Sequence, residues 1–371
     1  MPKTKYYRLD NILKTAPDAQ YYMIIGQRSN GKTYAVLEYL LKQYFEKGSE
    51  FAIIRRWHDD FKGRRGNMMF NALETNSVIQ KLSGGTWTNI AYKSMQFYLS
   101  RYEDGKLVMS ERPIGYAFAV SQMEHDKSTS YNVKNILFDE FLTRSEYGYL
   151  NNEFVLFMNV VSTIIRERGE SDKIKIFMCA NTVNFTCPYF NEMGLKNITK
   201  MQPGTIDVYD YGESGLQVAV EYTEQYTGKK NSNKFFAFDN PRLKMITGDK
   251  SGSWEIDIYP HLPFKYTPCN VIFTYFIVFD GVTLQCEVIE KEGNVITYIH
   301  RKTTELKHPD SDIIFSIEYD ARPNWNRNIL DIHNPNIRKV ISRTFNPDKI
   351  FFQDNELGEY LRNYLIWCKQ N

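Results

Sequence analysis

Eight consecutive residues, Gly26-Gln27-Arg28-Ser29-Asn30-Gly31-Lys32-Thr33, have the types and spacing of a phosphate cradle, G-x-x-x-x-G-K-T. The glycines let the backbone turn so that successive N–H groups face phosphate oxygens. Lys32 adds charge at the β- and γ-phosphates, and Thr33 offers its hydroxyl to Mg²⁺. Such a site needs a carboxylate behind the metal. The run Asn135-Ile136-Leu137-Phe138-Asp139-Glu140 supplies Asp139 for that place, and Glu140 follows where it can orient and deprotonate an attacking water. ATP and Mg²⁺ are the cofactors these residues call for, with Thr33 and Asp139 on the metal side.

These groups need a scaffold. Tyr21 to Ile25 is an apolar run of buried-strand type, and residues 33 to 45 carry apolar side chains at helical spacing, so the cradle falls between strand and helix. Asp139 closes a run apolar enough to be buried on both faces. Further runs at 51–56 (FAIIRR) and 173–182 (KIKIFMCANT) follow helix-like segments, the alternation of a doubly wound parallel sheet. The second run reaches Asn181, a candidate to hydrogen-bond the γ-phosphate or the lytic water; a plain loop-start asparagine is the alternative. Just upstream, a helix expected to begin near Asn151 ends around Arg166 and Arg168. Either they complement the helix dipole, or Arg166 is an arginine finger acting on a neighbouring subunit in a ring.

Bulk properties bound the rest. A chain of 371 residues is expected to hold two domains. Hydrophobic content of 42% and aromatic content of 15% argue for folded cores. A formal net charge of +2 gives no global basic field, so any contact with nucleic acid must come from local patches. The five cysteines are scattered without a C-x-x-C pair and are expected to be reduced core residues. The polar start, MPKTKYYRLD, and the lack of a run of ~18 apolar residues argue against a signal peptide or a membrane span.

Taken in order, GQRSNGKT, FAIIRRW, NILFDEF, IIRERG and CANTVNFTCPYF resemble the DNA-packaging ATPases of phi29-like tailed phages, compact relatives of the large terminase subunits. The resemblance covers about residues 20 to 191. It implies that Gly26 to Thr33 bind ATP and Mg²⁺, that Asp139 supports the metal, and that Glu140 is the catalytic carboxylate. It implies further that Arg166 acts in trans and that Asn181 is a sensor. Arg55 and Arg56 match a basic pair that looks functional in that family. Where the relatives have a lysine soon after the pair, His58 stands here. The nearest basic replacement is FKGRRGN, in which Lys62, Arg64 and Arg65 around two glycines form a flexible loop suited to gripping a phosphate backbone. The implied partners are double-stranded DNA, a procapsid portal, a structural packaging RNA, and further copies of the chain in a homo-oligomeric ring, a pentamer by resemblance. The implied location is the host cytoplasm, docked on the procapsid.

Beyond about residue 207 the sequence turns polar and rich in Gly, Tyr and Lys, and residues 208–262 read as a connector. Residues 271–300 are all strand in character, with Asp280-Gly281 and Gly293-Asn294 as turn signals of a three-stranded meander; helical spacing returns at 355–370. This part resembles the RNase H-like nuclease domain of large terminases, which holds two metals with carboxylates, the first inside the opening strand. Here the opening strand VIFTYFIVF has no acid, Asp280 suits the turn, and Asp354 suits a helix cap.

The expected fold class is therefore α/β. A P-loop NTPase domain of the additional-strand, catalytic-glutamate type (1–207) precedes a linker region and a vestigial RNase H-like domain (263–371) without nuclease activity. The expected function is an ATP-driven viral genome packaging motor. Alternatives are a terminase with an active nuclease, another P-loop DNA translocase or helicase such as a chromosome-partitioning motor, and a nucleotide-gated structural protein.

Overall fold

The computed structural model describes residues 6–122, 132–143, 148–165, 174–224 and 257–370. Arg166 and Arg168 lie outside them. The described residues fall into two compact units, the second made by 257–370 together with Gly148.

The first unit is built on β1 (Tyr21–Gly26), β2 (Glu50–Arg55), β3 (Asn89–Lys93), β4 (Gln96–Glu103) and β5 (Lys106–Met109). It continues with β6 (Gly115–Ala119), β7 (Val133–Asp139), β8 (Lys175–Asn181), β9 (Thr205–Asp210) and β10 (Gln217–Tyr222). Among the described residues they form one sheet in the order β3-β4-β6-β2-β7-β8-β1-β10-β9, with β5 beside β4. From β6 to β10 every pairing is parallel. These strands are apolar on both faces because both faces are covered, and β1 is buried along its whole length. The helix Lys32–Lys47 seals one face with Val36, Leu37, Leu40 and Leu41, which share a core with Tyr22, Ile24, Phe51, Ile53, Leu137 and Phe177. Each such side chain contributes roughly 1.5–3 kcal/mol on burial. The helix stops at Gly48, whose left-handed φ of 67° turns its N–H onto the Tyr44 carbonyl.

Two expectations change here. The connector does not begin at residue 208: β10 lies between β1 and β9, and Val218, Ala219 and Val220 are buried. Its run Gln217-Val218-Ala219-Val220-Glu221-Tyr222 is short, and the polar residues around it hid an inner strand. Nor is FKGRRGN a flexible loop. His58–Phe61 and Arg64–Met68 are short helices, and a side chain at Gly66 would strike the Tyr92 ring at 2.4 Å, so this glycine serves close packing. Lys62, Arg64 and Arg65 are exposed; Lys62 Nζ pairs with Asp59 Oδ1 at 2.6 Å and Arg65 Nη1 donates to the Asp59 carbonyl at 3.0 Å.

The second unit holds β11 (Val271–Phe279), β12 (Val282–Lys291), β13 (Asn294–Arg301), β14 (Ile313–Ser316), β15 (Trp325–Asn326) and β16 (Ile350–Phe352). Their order is β15-β14-β11-β12-β13-β16. The first three make the expected antiparallel meander, and β14 runs parallel to β11 and β16 parallel to β13. The first turn is Asp280-Gly281, both at positive φ. The second centres on Glu292-Gly293 rather than Gly293-Asn294, because Asn294 already pairs with Lys291. The helix Asn355–Gln370 buries Leu357, Leu361, Tyr364 and Cys368, and the Tyr364 ring meets Phe279 edge-on. Four of the five cysteines are buried as expected; Cys269 is exposed.

Candidate nucleotide site

Strand order decides which residues meet. β8 stands between β1 and β7, so the carboxyl ends of three neighbouring parallel strands deliver Gly26, Asn181 and Asp139 to one edge of the sheet. Gly26 is in register with Asn181, and Asp139 with Cys179. A cavity of about 240 Å³ opens there, lined by Ser29 to Tyr34, Asp139, Glu140, Ala180 and Asn181. The structure thus brings the loop, both acids and Asn181 together, and leaves Lys62, Arg64 and Arg65 out of the cavity wall.

The loop's path needs its glycines. Gly31 caps the following helix at φ 95°, and Ser29 is also left-handed. At Gly26 a side chain would meet Thr223 Oγ1 at 2.0 Å, so the strand can approach the end of β10 only without a Cβ. Thr223 Oγ1 in turn accepts from Asn30 Nδ2 at 2.8 Å, and the Asn30 carbonyl accepts from the Tyr7 N–H at 2.9 Å. The Tyr7 hydroxyl donates to Glu221 Oε2 at 2.6 Å. Burial pushes the Glu221 carboxyl up to about 7 against the pull of the Tyr7 bond, with Glu224 adding to the rise.

Lys32 Nζ donates to the Gln27 carbonyl at 2.7 Å, to Asn30 Oδ1 at 3.2 Å, and to the Gly26 carbonyl and Asn181 Oδ1 at 3.3 Å each. All four partners are neutral, and burial lowers the ammonium to about 8, with Cys179 and Asp139 opposing. A phosphate placed here would give it the anionic partner it lacks.

The acids are arranged unequally. Asp139 is buried; its Oδ1 accepts from Thr33 Oγ1 at 2.8 Å and its Oδ2 pairs with Arg55 Nη2 at 2.7 Å. Burial pushes its carboxyl above the ordinary range, with Arg55 and then Thr33 pulling it back. Glu140 is the more open of the two, its side chain 65% exposed, and Arg55 Nη1 holds its Oε2 at 2.6 Å. Its backbone is left-handed, φ 60°. For a residue other than glycine this costs about 1–3 kcal/mol and persists only where surrounding contacts fix it.

Chemically the set is coherent. The hydroxyl of Thr33 and the carboxylate of Asp139 are hard oxygen donors side by side, as Mg²⁺ requires. Lys32 and the N-terminus of the following helix suit phosphates, and the exposed carboxylate of Glu140 can accept a proton. Arg55 and Arg56, matched in sequence without a role, sit close to the acids, Arg56 bonding the carbonyls of Glu140 and Phe141. Glu153, Tyr189 and Thr223 carried no expectation. The signals were present: Glu153 is the one acid in the apolar run EFVLFMNVV.

The chain also resembles known proteins. Residues 1–226 match the family described as podovirus DNA encapsidation protein (Gp16). The chain is 28% identical over 358 residues to the DNA packaging protein of Bacillus phage phi29 and 24% identical to that of Bacillus phage PZA, with 93% of each chain covered in both cases. Among solved structures it matches a chain of the bacteriophage Phi-29 viral genome packaging motor assembly at TM-score 0.54 and 21% identity, covering 97% of this chain and 100% of that one.

Proposed function

Because the chain belongs to the podovirus DNA encapsidation protein (Gp16) family, we propose that it is the ATP-driven motor that moves double-stranded DNA into a viral procapsid. The observation that carries the reading is the convergence of Ser29 to Thr33 of GQRSNGKT, Asp139, Glu140 and Asn181 on one cavity. The intervening strand β8 supports an NTPase of the additional-strand, catalytic-glutamate type.

In this reading the amides of residues 26–33 and Lys32 hold the phosphates of ATP, and Thr33 and Asp139 hold Mg²⁺. The ion, when bound, neutralises charge on the β- and γ-phosphate oxygens. Glu140 takes a proton from water as the water oxygen attacks the γ-phosphorus, and the bond to the β-phosphate oxygen breaks. Before it can do so its carboxylate must leave Arg55. Asn181, already within 3.3 Å of Lys32 Nζ, is placed to sense the γ-phosphate. Arg166 keeps the trans role that the resemblance implies, which needs a ring of subunits. Lys62, Arg64 and Arg65 are exposed cations suited to a phosphate backbone, and backbone contacts suit a machine that must move any sequence. The working location is the host cytoplasm, on a procapsid portal, with a structural RNA as a further partner.

Residues 257–370 act in this reading as an RNase H-like binding module without nuclease activity. A meander extended by parallel strands supports the fold. Asp280 sits in the β11–β12 turn at φ 56°, and Asp354 Oδ1 caps the last helix through the Leu357 N–H at 2.9 Å, so both late acids have local structural tasks. Metal-dependent cleavage of plasmid by the full chain would overturn this part.

Steady-state ATP hydrolysis at low salt, with and without long duplex DNA and over a range of protein concentrations, tests the motor. Turnover that rises with DNA, and more than linearly with protein, is expected. Arg166→Ala activity should recover on mixing with Glu140→Gln subunits; a strictly additive loss would argue against trans action.

A further inference from the structure

Two neighbouring arginines hold different parts of Glu140. Arg55 takes the carboxylate; Arg56 takes the main chain. Arg56 Nη1 donates to the Glu140 carbonyl at 3.3 Å and Nη2 to the Phe141 carbonyl at 2.6 Å, while the Glu140 N–H donates to Cys179 O of β8 at 2.8 Å. The left-handed peptide of Glu140 is thereby tied from both sides.

The guanidinium of Arg56 is itself held flat. Its Nε and Nη2 meet the two oxygens of Glu153 at 2.8 and 2.9 Å, and its Cζ lies 5.2 Å from the centre of the Tyr149 ring. Glu153, only 1% exposed, also accepts from the Tyr189 hydroxyl and from the Leu150 N–H, each at 2.8 Å. A buried ion pair of this sort is weak evidence for stability, since apolar residues of similar volume often do as well. Its geometric content is specific: a bidentate fork fixes a plane, and that plane sets the direction of the remaining N–H groups.

We propose that Arg56, Glu153 and Tyr189 are positioning residues for hydrolysis. They hold the turn after β7 so that the Glu140 carboxylate, once free of Arg55, points at the attacking water. None of the three lines the cavity, so they act through Glu140 alone. The inference rests on Glu140 being the general base.

The test uses the full chain in two backgrounds, native and Glu140→Gln, each combined with Arg56→Lys and with Tyr189→Phe. Lysine keeps the charge and loses the fork; phenylalanine removes one hydroxyl and leaves the ion pair. Turnover, equilibrium binding of a fluorescent ATP analogue, and melting temperature are read for each. A base displaced by ~1 Å loses on the order of 100-fold in rate. Arg56→Lys is therefore expected to lower kcat by at least ~10-fold, and Tyr189→Phe by a smaller factor, with analogue binding within about twofold of native. In the Glu140→Gln background neither should lower the residual rate further. Equal fractional losses in both backgrounds, or unchanged kcat in both folded variants, would overturn the positioning role while leaving the base assignment intact. Normal turnover by Glu140→Gln alone would instead overturn the base assignment and the positioning with it. If Arg56→Lys fails to fold, Tyr189→Phe decides.

Discussion

Arg55 grips Glu140 through Nη1 at 2.6 Å while its Nη2 pairs with the buried Asp139 at 2.7 Å, so one guanidinium ties the two acids together. The two halves differ in weight. The Glu140 end is exposed and solvent-screened, whereas the Asp139 end lies in the interior. Arg55→Ala should therefore cost stability mainly through an uncompensated Asp139, on the order of 3 kcal/mol. Denaturant unfolding of the variant beside Arg55→Ala/Asp139→Asn measures this; the second change should restore much of the loss.

Glu140→Gln should lower ATP turnover by about 100-fold or more, the range for loss of a general base, with ATP still bound. Lys32→Ala should lose turnover and binding together, because in the proposed site its ammonium holds the phosphates rather than activating the water. Turnover and equilibrium binding on the same samples separate the two outcomes.

The pH dependence of binding follows from Lys32. Its folded value of about 8 lies below the ordinary 10.5, so the charged form is disfavoured in the folded chain. Between those values the unfolded chain binds more protons, and this group's contribution to stability rises with pH across that window. Phosphate favours the charged form, so nucleotide affinity should fall as pH rises above about 8. Calorimetry in buffers of different ionisation enthalpy should detect proton uptake on binding there and little at pH ~6.5.

Gly26→Ala should impair nucleotide binding, since the new methyl would stand 2.0 Å from Thr223 Oγ1. Thr223→Ala alone removes the Asn30 bond and should be milder, at about 1 kcal/mol. Combining the two should recover part of the Gly26→Ala loss if the clash is its cause. Melting temperature and analogue binding for all three proteins check this.

A fragment ending at residue 207 should be poorly soluble, because it lacks β10 and bares the edge of β1 beside Ile24 and Ile25. One ending at 224 keeps the ladder and should give a cooperative melt. Expression and thermal unfolding of the two fragments decide.

The local parts of the site were legible in the sequence because each is short and chemically strict. GQRSNGKT needs only its neighbours to turn, and the acids at the end of β7 follow directly from an apolar run. What could not be read were meetings set by strand order. Thr223 reaches Gly26 because β10 inserts beside β1, and Arg56 reaches Glu140 because β2 pairs with β7. The pairing of Arg56 with Glu153, 97 residues away, leaves only one trace, an acid in an apolar helix. FKGRRGN misled for a related reason: glycine marks both flexibility and close packing, and only Tyr92 decides between them at Gly66.

The parallel ladder between β10 and β1 also has a mechanical meaning. Its five register pairs run from Tyr21 with Val218 to Ile25 with Tyr222, and the chain leaves this strand beside Thr223, the residue that touches the phosphate loop. A pull along the axis of β10 loads the pairs in shear, all at once, rather than peeling them one by one. Load applied along β10 would thus be shared by the whole ladder, and the first atoms to feel it at its carboxyl end are the ones that shape the loop.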